Sequence, residues 1–280
     1  MFAFLSNFLA NEKIDLWGAL PLSSCTIHKP YLLEREHIQS GTVILLAIPY
    51  YTEACDDPGR NLSAYAVSRD YHSFFKDLFE RLLPTLRERF PAHRFAAFAD
   101  HSPIDEREAA AKAGLGVFGK NHLLLTEKYS SYVFFGELIT DAVLPAREVA
   151  PRQCIGCNKC MQACPMNHGC PTCLSALTQK KGVLTEEEEA ILLRYGSVWG
   201  CDLCQEFCPY TEQAKKRGSI HSPIPFFAKE CLPHLTEEAL LSMSDEAFST
   251  RAYSWRGRET ILRNLKLMKE KELRKEDPPC

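Results

Sequence analysis

The sequence predicts an α+β protein with a mixed α/β N-terminal domain, a cysteine-rich ferredoxin-like segment and a helical C-terminal part. Three observations carry this. A continuous apolar run, Thr42–Pro49, reads as a buried strand among alternating strand and helix signals. Two cysteine runs, Cys154 to Cys164 and Cys201 to Cys208, interrupt the pattern. Beyond them the apolar residues recur at helical spacing, as in Ile261, Leu262, Leu265 and Met268. The expected regions are 1–150, 151–215 and 216–280.

The chain has 280 residues, with 45% hydrophobic and 25% charged, an ordinary globular composition. A formal net charge of −3 gives no chain-wide attraction to nucleic acid. No apolar run approaches the length of a membrane span, and the start lacks the basic and apolar segments of a signal peptide, so a cytoplasmic protein without a membrane partner is expected. Most of the thirteen cysteines cluster between Cys154 and Cys208. In a reducing compartment such clustering reads as metal or cluster ligation rather than as disulfides.

Elements follow in order. Asn61–Leu83 is expected to be one helix limited by Pro84. Arg94–Ala99 is a strand candidate, and Asp105–Ala113 a short helix stopped by Gly114. The glycine-dense stretch from Gly114 to Asn121 contains Gly114-x-Gly116-x-x-Gly119, but it follows a helix rather than a strand, which argues against a dinucleotide loop. His122–Thr126 and Tyr132–Thr140 are further strands. Thr185 and Glu188 form a capping box, which makes Glu186 to Glu189 a solvated helix start. Thr236 and Ser244 are N-cap candidates, and a last helix is expected over 257–275. From 251 to 275 nine Lys or Arg stand against three Glu, a patch that suits phosphate contact or a solvated face.

The chemistry lies in the cysteines. Cys154, Cys157, Cys160 and Cys164-Pro165 have the x2, x2, x3 spacing of bacterial ferredoxins, and Cys201, Cys204 and Cys208-Pro209 repeat most of it. In that pattern three thiolates wrap one [4Fe–4S] cluster and the fourth serves the neighbouring one. Cys154, Cys157, Cys160 and Cys208 then hold one cluster, while Cys164, Cys201 and Cys204 hold the second together with Cys173 or Cys170. Structural zinc, which also uses paired cysteines, does not need this run. Cys25, Cys55, Cys231 and Cys280 stand alone and read as small hydrophobes or free thiols.

A ferredoxin module fused to an α/β domain implies electrons delivered to another cofactor or to a substrate. Here a family resemblance enters. Ser68-Arg69-Asp70-Tyr71-His72, Phe98-Ala99-Asp100-His101-Ser102-Pro103, the Ala113–Asn121 stretch and Phe134-Phe135-Gly136-Glu137-Leu138 precede the cysteine runs. Cys173–Thr178, Trp199–Pro209 and Trp255–Asn264 accompany or follow them. Together, over residues 42–265, they resemble the epoxyqueuosine reductases. The resemblance implies cobalamin bound in the N-terminal domain beside two [4Fe–4S] clusters, and reduction of the epoxide of epoxyqueuosine in tRNA to queuosine. It implies Asp100 as the acid that protonates the departing oxygen, with Asp105 as runner-up. It chooses Cys173 over Cys170 for the second cluster. Ser63, Arg69, Asp100, Lys120, Leu124 and Phe135 match regions that line the corrin, and neither His72 nor His101 is expected below the cobalt. An external low-potential electron donor, such as a ferredoxin or flavodoxin, and a monomeric state are expected. The alternatives are a reductive-dehalogenase-like enzyme acting on another small substrate and a simple electron-transfer ferredoxin. The first 40 residues and the extra Cys170 depart from the family pattern.

Overall fold

The computed structural model describes residues 1–166 and 173–276, with side chains to residue 269. Cys170 and Cys280 lie outside the described residues. The chain divides into two compact units built from interleaved segments. One takes Met1–Tyr50, Tyr71–Asn158 and Pro209–Pro225, and the other takes Tyr51–Asp70, Lys159–Cys208 and Phe226–Cys280.

The first unit is built on strands β1 (Trp17–Pro21), β2 (Thr42–Pro49), β3 (Phe95–Phe98), β4 (Val117–Phe118), β5 (Leu124–Leu125) and β6 (Val133–Thr140). β1, β2, β6 and β3 form one sheet in that order, antiparallel throughout, and β4 pairs with β5. Every residue of β2 is buried, as its continuous apolar run predicts for a strand covered on both faces. The Tyr71–Arg89 helix buries Phe74, Phe75, Leu78, Phe79, Leu82 and Leu86. A Cβ on Gly136 would come within 2.3 Å of Phe75 Cε1, so helix and strand touch at a point where only glycine fits. On the other side Ala109, Ala110 and Ala111 of the Glu106–Lys112 helix join one core cluster with Val43, Leu45, Ala47 and Ile139.

The long helix corrects the sequence expectation. The predicted Asn61–Leu83 helix is split into Ala64–Val67 and Tyr71–Arg89, and Pro84 lies inside the second piece. Pro84 is exposed, so water can meet the carbonyl that loses its N–H, while Leu82 and Leu86 stay buried on either side. Burial of the apolar face outweighs the helix-breaking residue.

In the second unit Trp199, Tyr253, Leu235, Leu240 and Ile261 form the main core, and Leu174, Leu177, Leu184 and Leu192 a smaller one. The predicted caps are present. Thr185 accepts from Glu188 N–H within a capping box, Thr236 from Ala239 N–H and Ser244 from Ala247 N–H. The last helix runs Arg258–Glu276. Its Arg263 donates to the Lys180 and Gly182 carbonyls at 2.6 and 2.7 Å, and Arg258 to the Leu240 and Met243 carbonyls at 2.6 and 2.7 Å. Two cations of the basic tail therefore tie backbone together. Among the described residues no helix is long and apolar enough to cross a membrane.

Candidate active site

A cavity of about 400 Å³ opens in the first unit. Leu124 and Phe135 give it an apolar wall, and Tyr71 and Phe134 an aromatic one, their rings stacked 4.1 Å apart at 14°. Asp100, just after β3, stands in the lining with a φ of 66°. Aspartate tolerates this left-handed geometry better than most residues, and the turn sets its carboxylate off the strand direction. That side chain is 68% exposed, and its Oδ2 lies 3.6 Å from His72 Nε2. Asp100 is not the cap of the following helix. Asp105 is, accepting from Glu108 N–H at 3.0 Å, which engages the runner-up acid in holding the helix. Both ring nitrogens of His101 are engaged, by Lys29 Nζ at 3.1 Å and by the Tyr31 hydroxyl at 3.0 Å.

Behind Asp100 lie two further acids. Glu106 lines the cavity, and Glu137, in the middle of β6, is fully buried. No cation acts strongly on Glu137; the groups that face its buried oxygens are the Glu106 carboxyl and the Ser102 hydroxyl. Burial raises the Glu137 pKa well above the carboxylate range, and the facing charge of Glu106 raises it further. Burial likewise raises Glu106; the Glu137 carboxyl opposes this, and the charge of Asp100 adds to it.

The second unit gathers thiols. Burial pushes both Cys201 and Cys204 up to about 12, and the charges of Cys173 and Cys164 act on each, so these four side chains share one neighbourhood. Cys173 is the N-cap of the Leu174–Thr178 helix. Between Cys201 and Cys204, Asp202 is 5% exposed and accepts from Ser63 Oγ, Ala64 N–H and Arg60 Nη1, each at 2.6 Å. Cys160 and Cys208 are buried in the same unit. In the first unit Cys154 N–H donates to the Phe118 carbonyl at 2.8 Å, and Gly156 and Asn158 take left-handed conformations around Cys157. None of these thiols is in a disulfide.

Of the predicted cofactor contacts, Asp100, Leu124 and Phe135 come together in the cavity. Lys120 donates to Asn158 Oδ1 at 2.7 Å and is not part of the lining. Ser63 and Arg69 belong to the second unit, where Ser63 holds Asp202 and Arg69 lies 5.2 Å over the Phe226 ring. Sequence reasoning missed Glu106 and Glu137 as site residues. The signal was available: Glu137 is the one charged residue in the run Val133–Thr140.

Known proteins resemble the chain in the same terms. The family model described as "Epoxyqueuosine reductase QueG, DUF1730" matches residues 35–101. An epoxyqueuosine reductase of Listeria monocytogenes is 32% identical, over 94% of this chain and 72% of the relative. The chain belongs to the epoxyqueuosine reductase family. The fold agrees with that family of oxidoreductases. The structure of epoxyqueuosine reductase from Streptococcus thermophilus matches with a TM-score of 0.78 at 22% identity, covering 97% of this chain and 81% of that one. An epoxyqueuosine reductase crystallised with an epoxyqueuosine-modified tRNA-Tyr stem loop matches with a TM-score of 0.73 at 24% identity, covering 95% and 81%.

Proposed function

We propose that this chain reduces the epoxide of epoxyqueuosine in tRNA to the cyclopentene of queuosine, using cobalamin and two [4Fe–4S] clusters. The observation that carries the reading is Asp100, on a left-handed turn in a cavity walled by Leu124, Phe135, Tyr71 and Phe134. Family membership and the fold shared with a tRNA-bound relative support the substrate.

The residues present fit the cofactors. Among the described residues no three Cys, His, Asp or Glu converge where a single metal ion would sit. A cubane cluster takes one thiolate at each of four corners, and Cys164, Cys173, Cys201 and Cys204 share a neighbourhood. These four would hold one cluster; the ferredoxin spacing of the sequence assigns Cys154, Cys157, Cys160 and Cys208 to the other. The Leu124 and Phe135 wall suits the flat face of a corrinoid. When bound, the clusters and cobalamin supply low-potential electrons.

The chain's own residues do the rest. Apolar and aromatic walls position the epoxide-bearing carbocycle. Asp100 holds a proton at its carboxyl for the oxygen that leaves. We take the electron donor to be an external low-potential protein such as a ferredoxin or flavodoxin, and the chain to act as a cytoplasmic monomer.

The test is direct. The protein is purified without air, loaded with iron, sulfide and cobalamin, reduced, and given an epoxyqueuosine-bearing tRNA stem loop. Nucleoside mass spectrometry is expected to show queuosine. Persistence of the epoxide in a cobalamin-loaded, iron-replete preparation overturns the reading.

A further inference from the structure

Conversion of an epoxide to an alkene breaks two C–O bonds, forms one C=C π bond and releases water. It consumes two electrons and two protons. Asp100 carries one proton. We propose that Glu106 and Glu137 form a proton-sharing pair that supplies the second, passed through Glu106 to the deprotonated Asp100 carboxylate. The inference rests on the epoxide-reduction reading above.

Geometry is the main argument. Glu137 pairs in register with Leu45 on β2 and Phe98 on β3, both buried. Strand alternation puts it on the face of Phe135 and Ile139, toward the core that contains the Ala109–Ala111 stretch. A carboxylate there, fully buried and faced by another carboxyl and the Ser102 hydroxyl, carries a large desolvation cost unless it is neutral. Glu106 acts directly on this buried acid, and it lines the cavity together with Asp100. The backbone N–H of Asp100 is turned toward the Glu106 carboxylate, so the pair also touches the loop that carries the acid.

The surrounding charges agree. Asp100 and Asp105 act on Glu106, and Cys25 feels Glu137; Ser102, itself buried, favours the charged form of Glu137 against its burial. None of the groups acting most strongly on either carboxyl is a cation. Two acids in contact without a counter-ion titrate as one unit, and the pair gives up its last proton at a higher pH than a free carboxyl would. Such a proton is stored beside the cavity, away from bulk water. The pair recovers it from solvent once product leaves.

Two measurements test this. Infrared spectra of the cofactor-free protein at pH 7 are expected to show a protonated carboxyl C=O band that is lost in Glu137→Gln. In the loaded enzyme Glu137→Gln is expected to lower kcat roughly tenfold or more with KM for the stem loop unchanged, as general-acid losses do. The loss should deepen as pH rises, and Glu137→Asp should recover part of it. A wild-type protein without the band, or a Glu137→Gln enzyme with wild-type kcat and pH profile, overturns the proposal. If wild type shows the band but leaves the epoxide intact, the reaction reading has failed, and the second-proton role fails with it.

Discussion

Ser63 Oγ donates to Asp202 Oδ1 across 2.6 Å, although 139 residues separate the two. The same carboxylate accepts from Arg60, Ala64 N–H and Gln205 Nε2. It lies between Cys201 and Cys204, so the clamp fixes the backbone that presents both thiols. Asp202→Asn removes the buried charge and leaves Arg60 with the more exposed Glu206 as its counter-ion. The expected cost is about 3 kcal/mol in urea unfolding of the cofactor-free protein, with less iron retained after reconstitution. An unchanged urea midpoint would contradict the clamp.

Asp100→Asn isolates the proposed acid. The position is exposed and left-handed, and asparagine tolerates both conditions, so the melting temperature should stay near that of wild type. Turnover should fall by roughly 10²–10⁴. Wild-type turnover in the folded variant would remove Asp100 from the chemistry.

Iron content tests the cysteine assignment. Cys204→Ala is expected to lower the load from about eight irons per chain to about four, as expected for loss of one of two [4Fe–4S] clusters. Cys173→Ala should do the same. Cys231→Ala should change nothing, because that thiol bonds the Phe227 carbonyl and stands outside the runs. Full iron in Cys173→Ala would pass the role to another ligand.

Glu137 also predicts how stability depends on pH. Its carboxyl titrates above its ordinary value in the fold, so the native chain binds more protons than the unfolded one from about pH 4.3 up to the raised native value. Stability from this source is complete below that window and is lost as pH rises through it. Glutamine has no proton to lose. Glu137→Gln should therefore gain on wild type with rising pH, by up to about 1.4 kcal/mol per unit inside the window. Urea midpoints at pH 5 and pH 8 check the sign, and parallel curves would refute it.

Gly136→Ala tests the packing of β6 against the long helix. The added methyl would lie 2.3 Å from Phe75 Cε1, and the Phe75 ring is buried with nowhere to retreat. Overpacking of this kind costs about 1–3 kcal/mol, read as a lower melting temperature.

Much of this was legible from the chain alone. The cysteine spacings announce their chemistry because cluster ligation demands short, fixed separations. The run at Thr42–Pro49 and the caps at Thr185, Thr236 and Ser244 are local signals that local physics honours. What stayed hidden depends on distant contacts. Pro84 reads as a stop until Leu82 and Leu86 are seen buried on either side of it. Asp100 and Asp105 are equivalent as acids in sequence, and only the bond from Glu108 N–H shows which one serves the helix. Arg263 looked available for phosphate, yet its guanidinium is committed to two carbonyls about eighty positions upstream. Glu106 and Glu137 lie 31 positions apart, and only the packing of a helix on a sheet makes them a pair.

The six alternating segments of the two units mean that the polypeptide passes from one to the other five times. No single cut releases either unit whole. A fragment ending near residue 208 would lack the Pro209–Pro225 piece of one unit and the Phe226–Cys280 piece of the other. Half-protein expression, shuffling of the thiol-rich stretch into another scaffold and stepwise release from a ribosome all meet the same obstacle. The pieces of the first unit are all present by Pro225, while the second still waits for Phe226–Cys280.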